Sequence, residues 1–341
     1  MTPYTRRECF VRAVAFAGAV LALRANAAEA SPKYPRNLTK TDIDRWMTEL
    51  SNWGRWGKDD QAGTINLITH TKRASAAALV KDGVSVSMSA NADIAMAPAS
   101  AAPGATPHNW EHTMKSTGVG RTDGFVIDSY SMSYHNSVST HLDALSHFFY
   151  AGKMYNGFPS DAITSWGATK NDVMPFKDGI FTRGVLIDMP ALKGVPYLGD
   201  DEAVYPEDLE SWEKKAGLKI ESGDAVFLRT GKWRRVAEKG PLTEQLPGLY
   251  ASCAKWLKER DIALLGSDVV QDVRPSRVDG VNQPIHLLFL VAVGTPLIDS
   301  CNLEALSEAC AQRKRWTFLF TAATLRVPGG TGSPLNPIAT F

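Results

Sequence analysis

Apolar and polar positions divide the chain into short strands and amphipathic helices. Apolar or β-branched runs bounded by Gly, Asp or Pro predict strands at residues 125–127, 183–188, 225–229 and 262–267. Apolar residues at helical spacing predict helices over 206–216, 247–260 and 303–313. Another is predicted over 41–50, with Thr39 or Thr41 as its cap. Residues 249–257 end in Lys258-Glu259-Arg260-Asp261 and feed directly into Ile262-Ala263-Leu264-Leu265, the pattern of a helix covering a buried strand. Strands and helices mixed in this order predict an α/β or α+β domain. The sequence holds no internal repeat, no Walker loop and no GxGxxG. The Ala/Pro/Ser-rich stretch 90–106 reads as a surface loop.

The N-terminus follows another pattern. Arg6 and Arg7 precede the apolar run 13–23, which ends in Ala25-Asn26-Ala27, as in a secretory signal. The adjacent arginines resemble a twin-arginine signal, so residues 1–27 are expected to be removed and the mature protein to be periplasmic or secreted. No other stretch approaches the roughly 20 apolar residues needed to span a bilayer, so no membrane contact is expected after processing.

Composition adds little except through charge. The 341 residues are 44% hydrophobic and 21% charged, which suits one sizeable folded core. The formal net charge is +1, and removal of residues 1–27 takes away four arginines and one glutamate, bringing it to −2. Neither value suits nucleic-acid binding, which needs a basic face. Cys253, Cys301 and Cys310 remain after processing, without CxxC spacing, and are expected to be small core residues.

Candidate chemistry concentrates in one segment. Three of the seven histidines fall between His135 and His147. In an extended chain His141 and Asp143 share a face, with Cα atoms roughly 6–7 Å apart. An imidazole and a carboxylate can converge from there on one metal at ligand distances of roughly 2 Å. Four more extended residues would carry His147 about 13 Å from Asp143. A helix beginning near Asp143 would instead make them i,i+4 neighbours at roughly 6 Å, and strand-to-helix is the expected geometry. His135 could join only through a bend or bulge. No Gly-x-Ser-x-Gly elbow and no cysteine beside a histidine offers a competing nucleophile.

The run Thr140-His141-Leu142-Asp143-Ala144-Leu145-Ser146-His147 resembles the signature His-x-Gly-Thr-His-x-Asp-x-Pro-x-His of the cyclase superfamily, the family of bacterial kynurenine formamidases and isatin hydrolases. The resemblance extends to Trp53-Gly54-Arg55-Trp56-Gly57, to Gly63-Thr64-Ile65-Asn66, to Pro284-Ile285-His286 and to Gly330-Thr331-Gly332-Ser333. It implies a swivelling β/β/α fold in one domain over 28–341, assembled as a homodimer or homotetramer. It also implies a divalent cation, Zn²⁺ or Mn²⁺, that activates water against a small carbonyl substrate. By position, His141 and Asp143 match metal ligands, and His147 matches a proton-transfer residue or a second-metal ligand. His286 and Asp299 fall where the family carries a histidine and an acidic residue near the site. The sequence departs from the signature at Ser137, Ser139 and Leu145, which stand for its first histidine, its glycine and its proline. Ser137 is a weak ligand, and His135 is the expected substitute.

Further candidates are weaker. Arg229 at a strand end could hold a substrate carboxylate or an internal ion pair. Asp268 and Asp272 follow a buried strand, where both functional and capping residues occur. Trp53 and Trp56 read as core or subunit contacts. His108 and His112 are assigned to a polar loop without a role.

Overall fold

The computed structural model describes residues 33–92 and 110–341. The export signal, His108 and most of the 90–106 stretch lie outside the described residues. The chain divides into Met1–Pro35 and a second unit, Arg36–Phe341, which carries every helix and strand among the described residues.

A nine-stranded sheet runs through the second unit. Its strands are β1 (Ser85–Ser87), β2 (His141–Asp143), β3 (Ile180–Asp188), β4 (Ala225–Arg229), β5 (Leu264–Ser267), β6 (Leu297–Asp299), β7 (Thr317–Ala322), β8 (Gly332–Pro334) and β9 (Ile338–Thr340). They lie in the order β1-β9-β7-β3-β4-β5-β6-β2-β8. The central strands β3, β4, β5 and β6 are parallel, and antiparallel strands flank them on both sides. Every residue of β4 and β5 is buried, as expected of parallel strands covered on both faces. Gly184 and Gly266 sit within this core because a Cβ there would come within 2.1 Å of Phe318 and 2.4 Å of Phe227 respectively.

The helices are α1 (Lys40–Glu49), α2 (His70–Ala77), α3 (Met189–Lys193), α4 (Pro206–Ala216), α5 (Lys232–Lys239), α6 (Cys253–Glu259), α7 (Pro284–Leu287) and α8 (Glu304–Arg313). Thr39 caps α1 through a reciprocal box with Asp42. In α4, Pro206 opens the first turn and Gly217 ends the helix in the left-handed region. Trp212 on its inner face donates Nε1–H to the Leu186 carbonyl of β3 at 2.8 Å, locking helix onto sheet. Burying a side chain of this size is worth about 2–3 kcal/mol.

The structure departs from the sequence pattern in three places. The helix expected over 247–260 is confined to α6, because Gly248–Leu249 pairs in parallel with Ala203–Val204. The strand expected at 125–127 begins only at Ile127 and runs to Met132, paired with Trp110–Ser116 in a separate two-stranded ribbon. His112 therefore lies on a strand, 2.7 Å from Asp128, and not in a loop. Cys253, Cys301 and Cys310 are buried free thiols, as expected.

Candidate metal and active site

Strand β2 is buried between β6 and β8 and carries the centre of the site. His141 and Asp143 leave it on one face, and the antiparallel register sets Asp299 of β6 directly opposite His141. Three donors thus meet on one side of the sheet, while Leu142 and Ile298 fill the other. Beside β2, the Thr140 hydroxyl donates to the Ser300 carbonyl at 2.8 Å, tying the two strands where the donors emerge.

The imidazoles of His141 and His286 are each oriented by a second contact. His141 Nδ1 lies 2.8 Å from the Ser139 carbonyl, which can only accept, so Nδ1 carries the proton and Nε2 points at Asp143 Oδ1, 3.4 Å away. His286 at the start of α7 sets Nδ1 2.6 Å from Asp272 Oδ2, and Asp272 also accepts from the Ile285 and His286 backbone N–H groups. His286 Nε2 then lies 3.5 Å from Asp299 Oδ2 and 3.8 Å from Asp143 Oδ2.

His147 reaches the cluster by a route other than the expected helix. The chain after Asp143 makes a turn in which His147 N–H donates to the Ala144 carbonyl, and Ser146 N–H is held by the Asn171 carbonyl. The turn returns His147 Nε2 to 3.8 Å from Asp143 Oδ1. His135 arrives through a bend at Asn136, whose side-chain oxygen accepts from the Val138 and Ser139 N–H groups. Its Nδ1 lies 2.9 Å from Asp143 Oδ1, and its ring stacks on His147 with centroids 4.0 Å apart.

These groups perturb one another. Burial opposes ionisation of Asp143, but the surrounding imidazoles outweigh it and hold the carboxyl well below its ordinary range. Burial depresses His147 to about 4, so it is neutral near pH 7. Burial also acts against His286, yet Asp299 and Asp272 together raise it to about 10. His141 is raised because Asp143 overcomes its desolvation.

The donor set fits a divalent cation. Both Asp143 oxygens and Asp299 Oδ1 are buried without a hydrogen-bond partner, although the His135 imidazole approaches Asp143 to 2.9 Å. An unsatisfied buried carboxylate is costly, and a cation would remove that cost. Two sets of donor atoms lie within 4.8 Å of one another, His141–Asp143–Asp299 and His135–Asp143–His147, and Asp143 belongs to both. Mixed imidazole and carboxylate donors suit a divalent cation.

Other expected site residues lie elsewhere or act differently. Arg229 does not present a free guanidinium to a substrate: it is buried and paired with Asp188 at 2.9 Å and Glu304 at 2.6 Å. Ser137 is engaged through its backbone, with its carbonyl accepting from Lys232 Nζ at 2.5 Å. Asp268 is a cap, taking the Thr230, Gly231 and Lys232 N–H groups at the start of α5. Trp53 donates Nε1–H to the Val291 carbonyl at 2.7 Å but is 37% exposed, so it is not a core residue. Sequence reasoning left Asp272 without a definite role and missed Lys232. The only signal for Asp272 was its place after a buried strand.

Fold and site together define an α/β protein with a buried cluster of histidines and carboxylates composed for a divalent cation. The Cyclase family model matches residues 68–271, which contain the 135–147 segment. A crystal structure described as a novel cyclase matches with a TM-score of 0.76 at 30% identity, covering 85% of this chain and 99% of its own. Isatin hydrolase A from Ralstonia solanacearum matches with a TM-score of 0.57 at 20% identity, covering 75% and 91% of the two chains. Isatin hydrolase A from Labrenzia aggregata, bound to benzyl benzoate, matches with 0.57 at 22% identity, covering 77% and 94%. No curated protein sequence matches the chain. The chain belongs to the cyclase family.

Proposed function

We propose that the protein is a metal-dependent hydrolase that opens a small amide, lactone or cyclic imide. The observation that carries this reading is Asp143, a buried carboxylate with no hydrogen bond and imidazole nitrogens of His135, His141, His147 and His286 within 2.9–3.8 Å. His141, Asp143 and Asp299 would hold the cation, and His135 would complete the set in place of Ser137. Once bound, a zinc or manganese ion lowers the pKa of water and polarises a carbonyl oxygen. The similarity in fold to isatin hydrolases supports hydrolysis as the reaction class.

The chain's own residues supply the rest. His147, with 26% of its side chain exposed, is the most accessible imidazole of the cluster next to His135 at 29%. Neutral near pH 7, it accepts a proton at Nε2 as water attacks and returns it to the leaving group. Asp299 orients the attacking water. His286, with Nδ1 fixed on Asp272, presents Nε2 to the same face and orients the substrate oxygen. Phe148 packs against both His147 and His286 and keeps bulk water from the space between them.

The test is elemental analysis of the purified mature protein, followed by assay of the metal-loaded form on formamides, lactones and cyclic imides. About one equivalent or more of a divalent ion, with turnover of at least one class, is expected. Protein that takes up no divalent ion and hydrolyses none of them overturns the reading.

A further inference from the structure

Lys232 is a buried lysine at a place where a cation is costly. The residue is 4% exposed, and its Nζ is held by two uncharged oxygens, the Ser137 carbonyl and the Ser300 hydroxyl. It occupies the first position of α5, where the helix dipole opposes positive charge. Burial lowers its pKa to about 8. Removing an ammonium from water costs several kcal/mol unless its donors are well used.

Its backbone is fixed before its side chain does anything. Asp268 accepts hydrogen bonds from the N–H groups of Thr230, Gly231 and Lys232 and from the Thr230 hydroxyl, at 2.8–3.1 Å. Gly231 turns with a φ of +84°, and any side chain there would come within 2.8 Å of Tyr197. From this anchored start, Lys232 Nζ reaches the Ser137 carbonyl at 2.5 Å and the Ser300 hydroxyl at 3.3 Å.

Both acceptors adjoin the metal-type donors. Ser300 follows Asp299 and holds a left-handed φ of +55°, an unfavourable conformation for serine. Ser137 stands where the family signature has its first histidine, two residues after His135. With the Ser137 carbonyl drawn toward Lys232, the chain bends at Asn136 and sets His135 Nδ1 2.9 Å from Asp143 Oδ1. A side chain at 137 that cannot serve as a strong ligand is thus accompanied by a lysine that fixes the same residue by its backbone.

We propose that Lys232 is a positioning residue whose ammonium, by holding the Ser137 carbonyl and the Ser300 hydroxyl, sets His135 and Asp299 in reach of the cation bound at Asp143. The proposal rests on the metal-site reading above. It is tested by titrating metal-free mature protein with Co²⁺, read by calorimetry and by the visible absorption of the bound ion. The variants are Lys232→Met, His135→Ala and the double variant. Lys232→Met should weaken Co²⁺ binding about 10–100-fold, the usual effect of removing an outer-shell partner. It should also shift the visible bands in the direction that His135→Ala shifts them. In the His135→Ala background most of the effect of Lys232→Met should disappear, because coupled residues are not additive. Lys232→Gln, which keeps an N–H donor, should retain affinity between wild type and Lys232→Met, and it replaces that variant if Lys232→Met does not fold. A variant that loses thermal stability but binds Co²⁺ with wild-type affinity and spectrum overturns the assignment. So does tighter binding, the result of simply removing a positive charge, and so do fully additive losses. Wild-type protein that binds no Co²⁺ overturns the metal-site reading itself, and this assignment with it.

Discussion

Asp299 lies directly across from His141 in the antiparallel pairing of β6 with β2, so the two side chains leave neighbouring strands on the same face. The relationship depends on register. A slip of one residue would turn Asp299 to the opposite face, away from His141 and Asp143. Ser300 fixes that register from one side, through Thr140, and the β2–β8 pairing fixes it from the other.

Asp143 is shared by both donor sets and is the carboxylate that the imidazoles of His135, His141, His147 and His286 surround, so its charge should decide cation uptake. Asp143→Asn is expected to lose the bound ion, because a neutral amide replaces an anionic ligand of the same size. Elemental analysis of variant and wild type after identical loading checks this. Equal metal in both would remove Asp143 from the ligand set.

Asp272 is expected to act on stability as well as on the site. Its carboxylate serves the Ile285 and His286 N–H groups and the His286 ring from a fully buried position. Asp272→Ala leaves those donors unsatisfied and should cost about 3–5 kcal/mol, the range for removing one partner of a buried charged pair. Urea denaturation of the metal-free protein measures it. A change in midpoint worth less than about 1 kcal/mol would mean that water replaces the carboxylate.

A pH-dependent contribution to stability is expected far from the site, at Glu213 and Arg260. Burial disfavours the Glu213 carboxylate, but Arg260 at 2.8 Å and the Ile220 N–H outweigh it, so its pKa is lowered on folding. A depressed carboxyl pKa contributes stability above the unfolded value, about 4.3 for glutamate, and loses it as pH falls through the folded value. Glu213→Gln should therefore be destabilised at pH 7 by about 1.5–3 kcal/mol, the usual worth of a hydrogen bond to a charged group. That gap should narrow as pH falls below about 4. Paired urea curves at pH 7 and at the lowest pH that leaves both proteins folded test the sign; a gap that widens in acid contradicts it.

The sequence showed the centre of the site because its signal is local. His141 and Asp143 are two apart on a strand, and that spacing alone puts them on one face. The i,i+4 relation between Asp143 and His147 also survived, although a turn and not a helix delivers it. The bond from His147 N–H closes on Ala144, three residues back, where a helix would close on Asp143, and Ala144-Leu145-Ser146 carries no cap to choose between them. Asp299 and His286 were legible only through family resemblance, since strand register joins residues more than 140 positions away from His141. Arg229 stayed open between a substrate contact and an internal ion pair because an arginine at a strand end reads the same in both roles. Its partners, Asp188 and Glu304, are 41 and 75 positions away. Lys232 was invisible for the same reason, because nothing near it in sequence says that it is buried.

Export is a separate proposal, carried by the paired arginines and Ala25-Asn26-Ala27. The native protein should be processed to begin at or near Ala28 and be recovered outside the cytoplasm. N-terminal mapping by mass spectrometry decides it. A cytoplasmic protein that starts at Met1 or Thr2 would overturn the proposal.

His147 separates two mechanisms that use the same residues. Its Nε2 belongs to a donor set with His135 and Asp143, which would allow it to be a ligand of a second ion. Its contact with Asp143 Oδ1 is long, however, at 3.8 Å against 2.9 Å for His135 and 3.4 Å for His141. It also has 26% of its side chain exposed, where His141 has 3%. A group that moves protons needs access to substrate and solvent, and this exposure supplies it. Kept neutral near pH 7, it is ready to accept a proton without first losing one. His147→Ala should therefore keep its metal and lose roughly 10²–10⁴-fold in kcat, the usual range for a general acid–base residue. Metal content and turnover measured on the same preparations test both halves of the expectation. Loss of one metal equivalent in the variant would make His147 a ligand. Full metal content with undiminished kcat would remove it from the reaction altogether.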